Sequence, residues 1–165
     1  PDLEAAGFTG WRTWGELRAS AFTEVPCTPG VYVVFRASPE PPVFVHPSPA
    51  GWYQGINPSV DGERLRREWV PGASSIYIGK ADFRKQRRPV EALRRRLEEY
   101  SRFGAGENIA HRGGRLIWQL ADSVELLVAW HQVTWAETAR DYEKRLLARF
   151  EALHDGRRPF ANLTG

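Results

Sequence analysis

Two phenols stand in short apolar runs, each beside a glycine: Tyr32 in PGVYVVF (29–35) and Tyr77 in SSIYIGKAD (74–82). Lys80 follows the second by three residues. A free phenol has a pKa near ~10. To accept a proton at neutral pH it needs neighbouring positive charge that favours the phenolate. Packing explains the same residues if both rings are core and their hydroxyls bond to backbone.

Positive charge is concentrated nearby. The chain carries only +3 overall, yet between Asp61 and Arg102 twelve Lys and Arg face seven Asp and Glu. The runs RLRR (64–67), RKQRR (84–88) and RRR (94–96) share this third of the chain. Twenty of the 23 basic residues are arginine, whose planar fork suits phosphate. A GC-rich genome explains that composition equally well, but not the clustering. A basic zone of this kind is the electrostatic footprint of a nucleic-acid binder. It names Arg64, Arg66, Arg67, Arg84, Lys85, Arg87, Arg88 and Arg94 as candidate DNA contacts.

A carboxylate breaks the pattern of the last helix. Ala139, Tyr142, Leu146, Phe150 and Leu153 form an apolar stripe at helical spacing. Glu143 falls inside that stripe, whereas Glu137, Asp141 and Glu151 point away. An inward carboxylate costs several kcal/mol unless paired or coordinated. Three readings stay open: a metal ligand, a buried ion pair with an arginine, or a stripe edge from which the side chain reaches water. Arg96, one turn before Tyr100 and on the flank of its own helix stripe, is the expected counterpart. Arg94 flanks the other side of that stripe and Arg95 is expected to face out, and a solvated face explains all three equally simply.

The elements that must position these residues read as a mixed α+β domain spanning 1–165. Residues 11–19 suggest a helix, 30–36 a strand and 75–79 a second strand. Between the strands lies a break, 37–73, whose seven prolines argue against regular sheet, with a short basic helix over 60–69. Val90, Leu93, Leu97 and Tyr100 predict a helix over 88–102. The runs 115–120 and 124–133 predict an antiparallel hairpin across Ala-Asp-Ser. Thr134 and Glu137 have the spacing of a capping box for the last helix, and Gly156 is its expected C-terminal cap.

Other function classes fall away. A single cysteine, Cys27, excludes an internal disulfide and a cysteine-rich zinc site, and suggests a reducing, cytoplasmic setting. The start PDLEAAGF lacks the features of a signal peptide. No apolar run approaches the ~20 residues that cross a membrane. His46, His111, His131 and His154 show no metal-ligand spacing, and His111, in Ala-His-Arg-Gly-Gly, reads as a phosphate contact or, more simply, as a surface loop residue. Trp52 and Tyr53 read equally as base-stacking groups or as loop packing.

Taken in order, these residues resemble the GIY-YIG nucleases. Gly30-Val31-Tyr32 is similar to their first motif and Tyr77-Ile78-Gly79 reproduces the second, followed by Lys80-Ala81. Arg96 and Tyr100 in LRRRLEEY look like the arginine and Tyr or His of the family's basic helix. Glu143 in YEKRLLARF looks like its metal-binding glutamate, and Asn162 in RPFANL like its late asparagine. The resemblance covers about 29–163 and implies a small, mainly antiparallel sheet flanked by helices. It implies a divalent-metal-dependent endonuclease acting on DNA, double-stranded by preference, with a homodimer as one way to cut both strands.

By that resemblance Glu143 holds Mg²⁺ or Mn²⁺ and Arg96 contacts the scissile phosphate. Tyr32 is the general base or water-orienting group, and Tyr77 orients the phosphate or shares that role. Lys80, other nearby cations and the metal favour the phenolate, Tyr100 joins the hydrogen-bond network and Asn162 braces the site. The chain departs from many relatives in three spacings: 37–73 between the tyrosine motifs, about 83–90 before the arginine helix, and a long interval from Glu143 to Asn162. The first puts a simple hairpin in doubt and makes 37–73 a candidate substrate-specificity element. Two further functions compete: a binding module on the same fold that does not cut, and an enzyme acting on damaged bases or RNA.

Overall fold

The computed structural model describes residues 3–82 and 92–163. Its centre is a four-stranded sheet of β1 (Thr9–Thr13), β2 (Gly30–Phe35), β3 (Ser75–Ala81) and β4 (Leu127–Gln132). The strand order is β1-β4-β2-β3 and every pairing is antiparallel. The expected α+β class with an antiparallel sheet is what forms. Helices α1 (Trp14–Ala19), α2 (Gly62–Glu68), α3 (Ala92–Gly104) and α4 (Ala139–Leu153) flank it.

Alternation along the strands creates two cores. Tyr32, Val34, Val128 and Trp130 join Trp14, Leu17, Leu65, Leu93, Leu97 and Tyr100 on the face covered by α1, α2 and α3. Val31, Val33, Ile78 and Ala129 join Tyr142, Leu146 and Phe150 of α4 on the other. Because both faces are covered, β2 reads as a nearly continuous apolar run rather than alternating with polar residues. Among the described residues no helix is long and apolar enough to cross a membrane.

The two tyrosine strands are direct neighbours despite the long connection, with Tyr32 opposite Gly79 and Val34 opposite Tyr77. Residues 37–73 leave the sheet and return to it. Gln119 pins this excursion: its side-chain amide donates to the carbonyls of Val45 and Val60 at 3.1 and 2.9 Å, and its carbonyl accepts from Val60 N at 2.8 Å. Gly51 N also donates to Phe103 O at 2.8 Å, which ties the segment to the end of α3.

Gly79 is required by close packing. A Cβ there would lie 2.4 Å from Cζ of Tyr32, so the Tyr32 ring crosses the space a side chain would fill. Gly30 is under the same constraint, because its Cβ would meet His131 O at 2.4 Å and Leu93 Cδ1 at 2.6 Å. Gly79→Ala is therefore expected to destabilise the fold by about 1–3 kcal/mol, the usual cost of overpacking. A urea titration of the variant checks this, and an unchanged midpoint would contradict the packing argument.

Four sequence expectations are corrected. Residues 115–120 are not a strand: Arg112–Gln119 coils as a 3-10 segment that buries Leu116, Ile117, Trp118 and Gln119 in succession. Four consecutive buried positions satisfy a coil wedged between α3 and the sheet, whereas a half-exposed hairpin strand would alternate. The hairpin is consequently absent, and β4 pairs with β2 and β1 instead. Residues 11–19 divide into the end of β1 and α1, whose start is fixed by a Thr13–Glu16 capping box. The cap of α4 is Thr138, which accepts from Asp141 N at 3.1 Å. Glu137 pairs instead with Arg145 at 2.9 Å.

Candidate active site

β3 is one of the two edge strands, and the candidate residues gather around it from both faces. On the α3 face, Tyr32 (β2), Tyr77 (β3) and Tyr100 (α3) form a triangle with ring centroids 6.0, 6.3 and 5.5 Å apart. Tyr32 and Tyr100 have no solvent exposure and Tyr77 has 7 %. Their hydroxyls are nevertheless engaged. Tyr100 Oη donates to Gly114 O at 2.5 Å. Tyr32 Oη lies 3.4 Å from His111 Nε2.

Arg96 sits at the rim of this triangle, with 30 % of its side chain exposed and Nη1 3.6 Å from Glu99 Oε2. Nη1 also donates to Ala110 O at 3.5 Å. Burial opposes its charge, but the phenols of Tyr32 and Tyr77 and the carboxylate of Glu99 outweigh that and hold the guanidinium charged. Burial pushes the Tyr32 phenol up from its ordinary pKa, against the pull of Arg96. Burial and the neighbouring Tyr32 push Tyr77 well up. The cation that favours the Tyr32 phenolate is thus Arg96, whereas Lys80 serves elsewhere.

Lys80 lies on the α4 face of β3, where its Nζ is 3.9 Å from Glu143 Oε2. The partner of Glu143 is therefore Lys80 rather than Arg96, which packs on the opposite face of the sheet. Burial pushes the Glu143 carboxyl up, with Lys80 opposing. At 21 % side-chain exposure, Glu143 is at the edge of the buried stripe. The two faces meet around the end of β3, where Lys80, Asp82, Arg95 and Arg96 line a cavity of about 200 Å³. Arg95 belongs to this wall and does not face out: it is 27 % exposed and 3.8 Å from Glu99. A larger apolar cavity of about 740 Å³, lined in part by Trp11, Phe35, Leu146 and Phe150, lies beside α4 and shares no lining residue with the smaller one.

Asn162 completes the edge strand. Its side-chain oxygen accepts from Ile78 N at 2.9 Å and its amide donates to Ile78 O at 2.8 Å. A bulge makes room for this docking. Ile76 is the extra residue where the β2–β3 register shifts, and its carbonyl accepts from Ala161 N at 2.8 Å. An edge that would otherwise offer unpaired backbone groups is closed by the chain's own tail. Asn162 thus holds the backbone between Tyr77 and Gly79 in place without entering the cavity.

The residue misjudged from sequence is His111. It is 1 % exposed and stacks flat on Tyr100, with centroids 3.9 Å apart and planes 7° apart. Its Nε2 lies 3.4 Å from Tyr32 Oη. Its Ala-His-Arg-Gly-Gly setting reads as a loop, and only the fold back over α3 buries it. Gly114 permits the approach, since a Cβ there would collide with the Tyr100 ring. Burial, reinforced by Arg96, holds His111 well below its ordinary value of 6.5. A base whose folded pKa is depressed stabilises the fold above its unfolded pKa and loses that stability as pH falls. Stability is therefore expected to fall as pH drops below about 6.5. The slope is at most about 1.4 kcal/mol per pH unit from this group. Urea midpoints from pH 7 to 5 check this, with the slope reduced in His111→Gln; parallel profiles would contradict it.

The basic surface is partly rearranged. Arg94 is not free for DNA: Nε donates to Val25 O at 3.0 Å and Nη2 to Thr23 O at 2.9 Å, fastening the loop before β2 to α3. Arg66 and Arg67 are exposed on α2, while Arg64 is 37 % exposed and 3.8 Å from Glu68. Arg112 and Arg115, absent from the sequence prediction, join Arg64. Burial and the charges of Arg112 and Arg64 together lower the Arg115 pKa. Arg84, Lys85, Arg87 and Arg88 lie outside the described residues. Trp52 is 56 % exposed and not loop core.

The donor set restricts any metal. Among the described residues no group of three or more His, Cys, Asp or Glu is placed to hold an ion. One half-buried carboxylate fits only a hard ion that keeps most of its water, as Mg²⁺ does. Zinc, which takes three or four protein ligands, does not fit. Comparison with protein-family models, curated proteins and solved structures returns no match for this chain.

Proposed function

We propose that this chain is a divalent-metal-dependent DNA endonuclease of the GIY-YIG type. The observation that carries the reading is convergence. Residues as distant in sequence as Tyr32, Tyr77, Arg96, Tyr100, Glu143 and Asn162 gather around β3.

Each then has a chemical task. Arg96 and Lys80 border the small cavity and neutralise a phosphate there. Glu143 is the residue that would hold Mg²⁺ or Mn²⁺, with Lys80 displaced from it. Such an ion supplies charge stabilisation and an activated water. Tyr100 and Asn162 position the others. The exposed arginines of α2, with Arg112 and Arg115, give double-stranded DNA its phosphate contacts. A reducing, cytoplasmic setting suits the one exposed cysteine. Cutting both strands requires a homodimer or two successive nicks.

One observation favours the alternative of a binding module that does not cut. The ion pair with Lys80 already satisfies Glu143 in part. Incubation of plasmid, modified and branched DNA with Mg²⁺ or Mn²⁺, followed by end analysis, separates the readings. The nuclease leaves phosphate and hydroxyl ends and is inert in EDTA. Binding that is independent of metal, with intact DNA throughout, supports the module, and abasic sites point to base removal.

A further inference from the structure

The excursion between the tyrosine strands carries a tight turn that the assignments above leave without a task. Tyr53–Gly55 coils as a 3-10 turn, in which Gln54 and Gly55 take positive φ values of 54° and 73°. The turn is held firmly. Gly51 N donates to Phe103 O at 2.8 Å, and a Cβ at Gly51 would collide with the Glu107 carbonyl. Gln54 N donates to Asn108 Oδ1 at 3.3 Å, and Arg112 Nη1 to Ile56 O at 3.4 Å. Yet this fixed backbone leaves two large apolar side chains in water, Trp52 at 56 % exposure and Ile56 at 47 %. Tyr53 differs, since its hydroxyl accepts from Gln54 Nε2 at 3.3 Å.

The surroundings of the turn select the kind of partner. Arg112 touches it directly, and Arg115 Nη1 donates to Arg112 O at 3.3 Å. Burial and the charges of Arg112 and Arg64 together disfavour the Arg115 charge. Like charges gathered at a cost suit a polyanion, whose phosphates relieve the repulsion. The segment that carries the turn also reaches the small cavity: Ala110, two residues before Arg112, accepts from Arg96 Nη1 at 3.5 Å. An exposed indole beside arginines, one segment away from the wall of the candidate site, has the composition of a base-stacking platform.

We propose that Trp52 stacks on a base freed from its duplex, so that the preferred substrate is double-stranded DNA carrying an unpaired base. The inference takes DNA as the partner from the nuclease reading and deepens it by naming the substrate class. Arg112 and Arg115 hold the phosphates beside the stacked base. A fully paired duplex keeps its bases stacked on one another and offers the indole no face.

The test uses three duplexes of one sequence: fully paired, with one unpaired adenine, and with an abasic nucleotide at that unpaired position. Affinities are measured in EDTA, so that cleavage is not needed. Wild type is expected to bind the unpaired adenine about 10-fold or more tighter than the paired duplex, the scale of one base–aromatic stack. The preference disappears with the abasic nucleotide. Trp52→Ala removes the preference and leaves affinity for the paired duplex unchanged, while Trp52→Phe keeps part of it. The fold survives both changes, because the side chain is exposed. A wild type without preference, a preference that survives the abasic nucleotide, or equal losses of Trp52→Ala on paired and unpaired duplexes overturns the proposal. So does a change of molar mass in light scattering with DNA affinity unaltered, which assigns the patch to a second copy of the chain. Addition of Mg²⁺ or Mn²⁺ separates this inference from the nuclease reading. Nicking that ignores Trp52 and the unpaired base keeps the nuclease and removes the stacking role. The full binding pattern without nicking keeps the stacking role and removes the nuclease. A wild type that binds none of the duplexes removes both.

Discussion

Glu143→Gln is expected to abolish the proposed metal-dependent nicking, with a fall of about three powers of ten or more, and to leave the fold intact. The size follows from what a bound divalent ion contributes, several kcal/mol of charge stabilisation at about 1.4 kcal/mol per tenfold. Glu143 is the one residue assigned to the ion, so no other assigned ligand shares the loss. The intact fold follows from the carboxylate's position. Burial raises the Glu143 pKa above its unfolded value. For an acid, that shift means the folded state binds the proton more tightly. Stability declines as pH rises through the interval between the two values. At neutral pH the ionised carboxylate is thus a cost to the fold, only partly offset by Lys80 at 3.9 Å. Gln removes the charge without changing the shape. The variant's melting temperature at pH 7 is expected to equal or exceed that of the wild type, and Mg²⁺ should raise only the wild-type value. Lost activity accompanied by a lower melting temperature would instead assign Glu143 a structural role.

Arg96→Lys is the second large effect, with nicking slowed by about 10²–10³, the cost of removing one donor aimed at a developing charge. Lysine keeps the charge but loses the planar fork. The guanidinium does several things at once: it donates to the Ala110 carbonyl, faces Glu99 and borders the cavity shared with Lys80. An ammonium makes fewer of these contacts. DNA affinity should change much less than the rate, since the proposed phosphate contacts lie mostly on other arginines. Arg94→Lys is the control from the same helix turn. Its bonds go to Val25 and Thr23 carbonyls, so it should lower stability and spare the rate. Equal loss of rate in both variants would show that α3 matters only as a scaffold.

The sequence was most informative where one residue type had one physical use. The glycine after Tyr77-Ile78 is legible because only a residue without a side chain lets the Tyr32 ring cross it. The inward carboxylate of α4 was legible from helical spacing, although its partner was not. Lys80 and Arg96 project to opposite faces of the sheet, and that depends on strand register, which no local pattern reveals. The 112–119 segment misled for a related reason. An apolar run without alternation fits a buried strand or a buried coil equally well, and the coil followed from Gln119 tying the 37–73 excursion against it. His111 was illegible because its burial is wholly tertiary: Tyr100 of α3 stacks on it and the Tyr32 hydroxyl of β2 faces it. Arg94 shows the converse, a charge in a basic run that the fold uses to hold two carbonyls.

The most direct test of the central claim is a plasmid-nicking assay run in parallel with Mg²⁺, with EDTA and with Glu143→Gln. The account predicts nicks in the first, none in the second and none in the third while the variant still binds DNA. Nicking that persists at the wild-type rate in Glu143→Gln or in EDTA would contradict it.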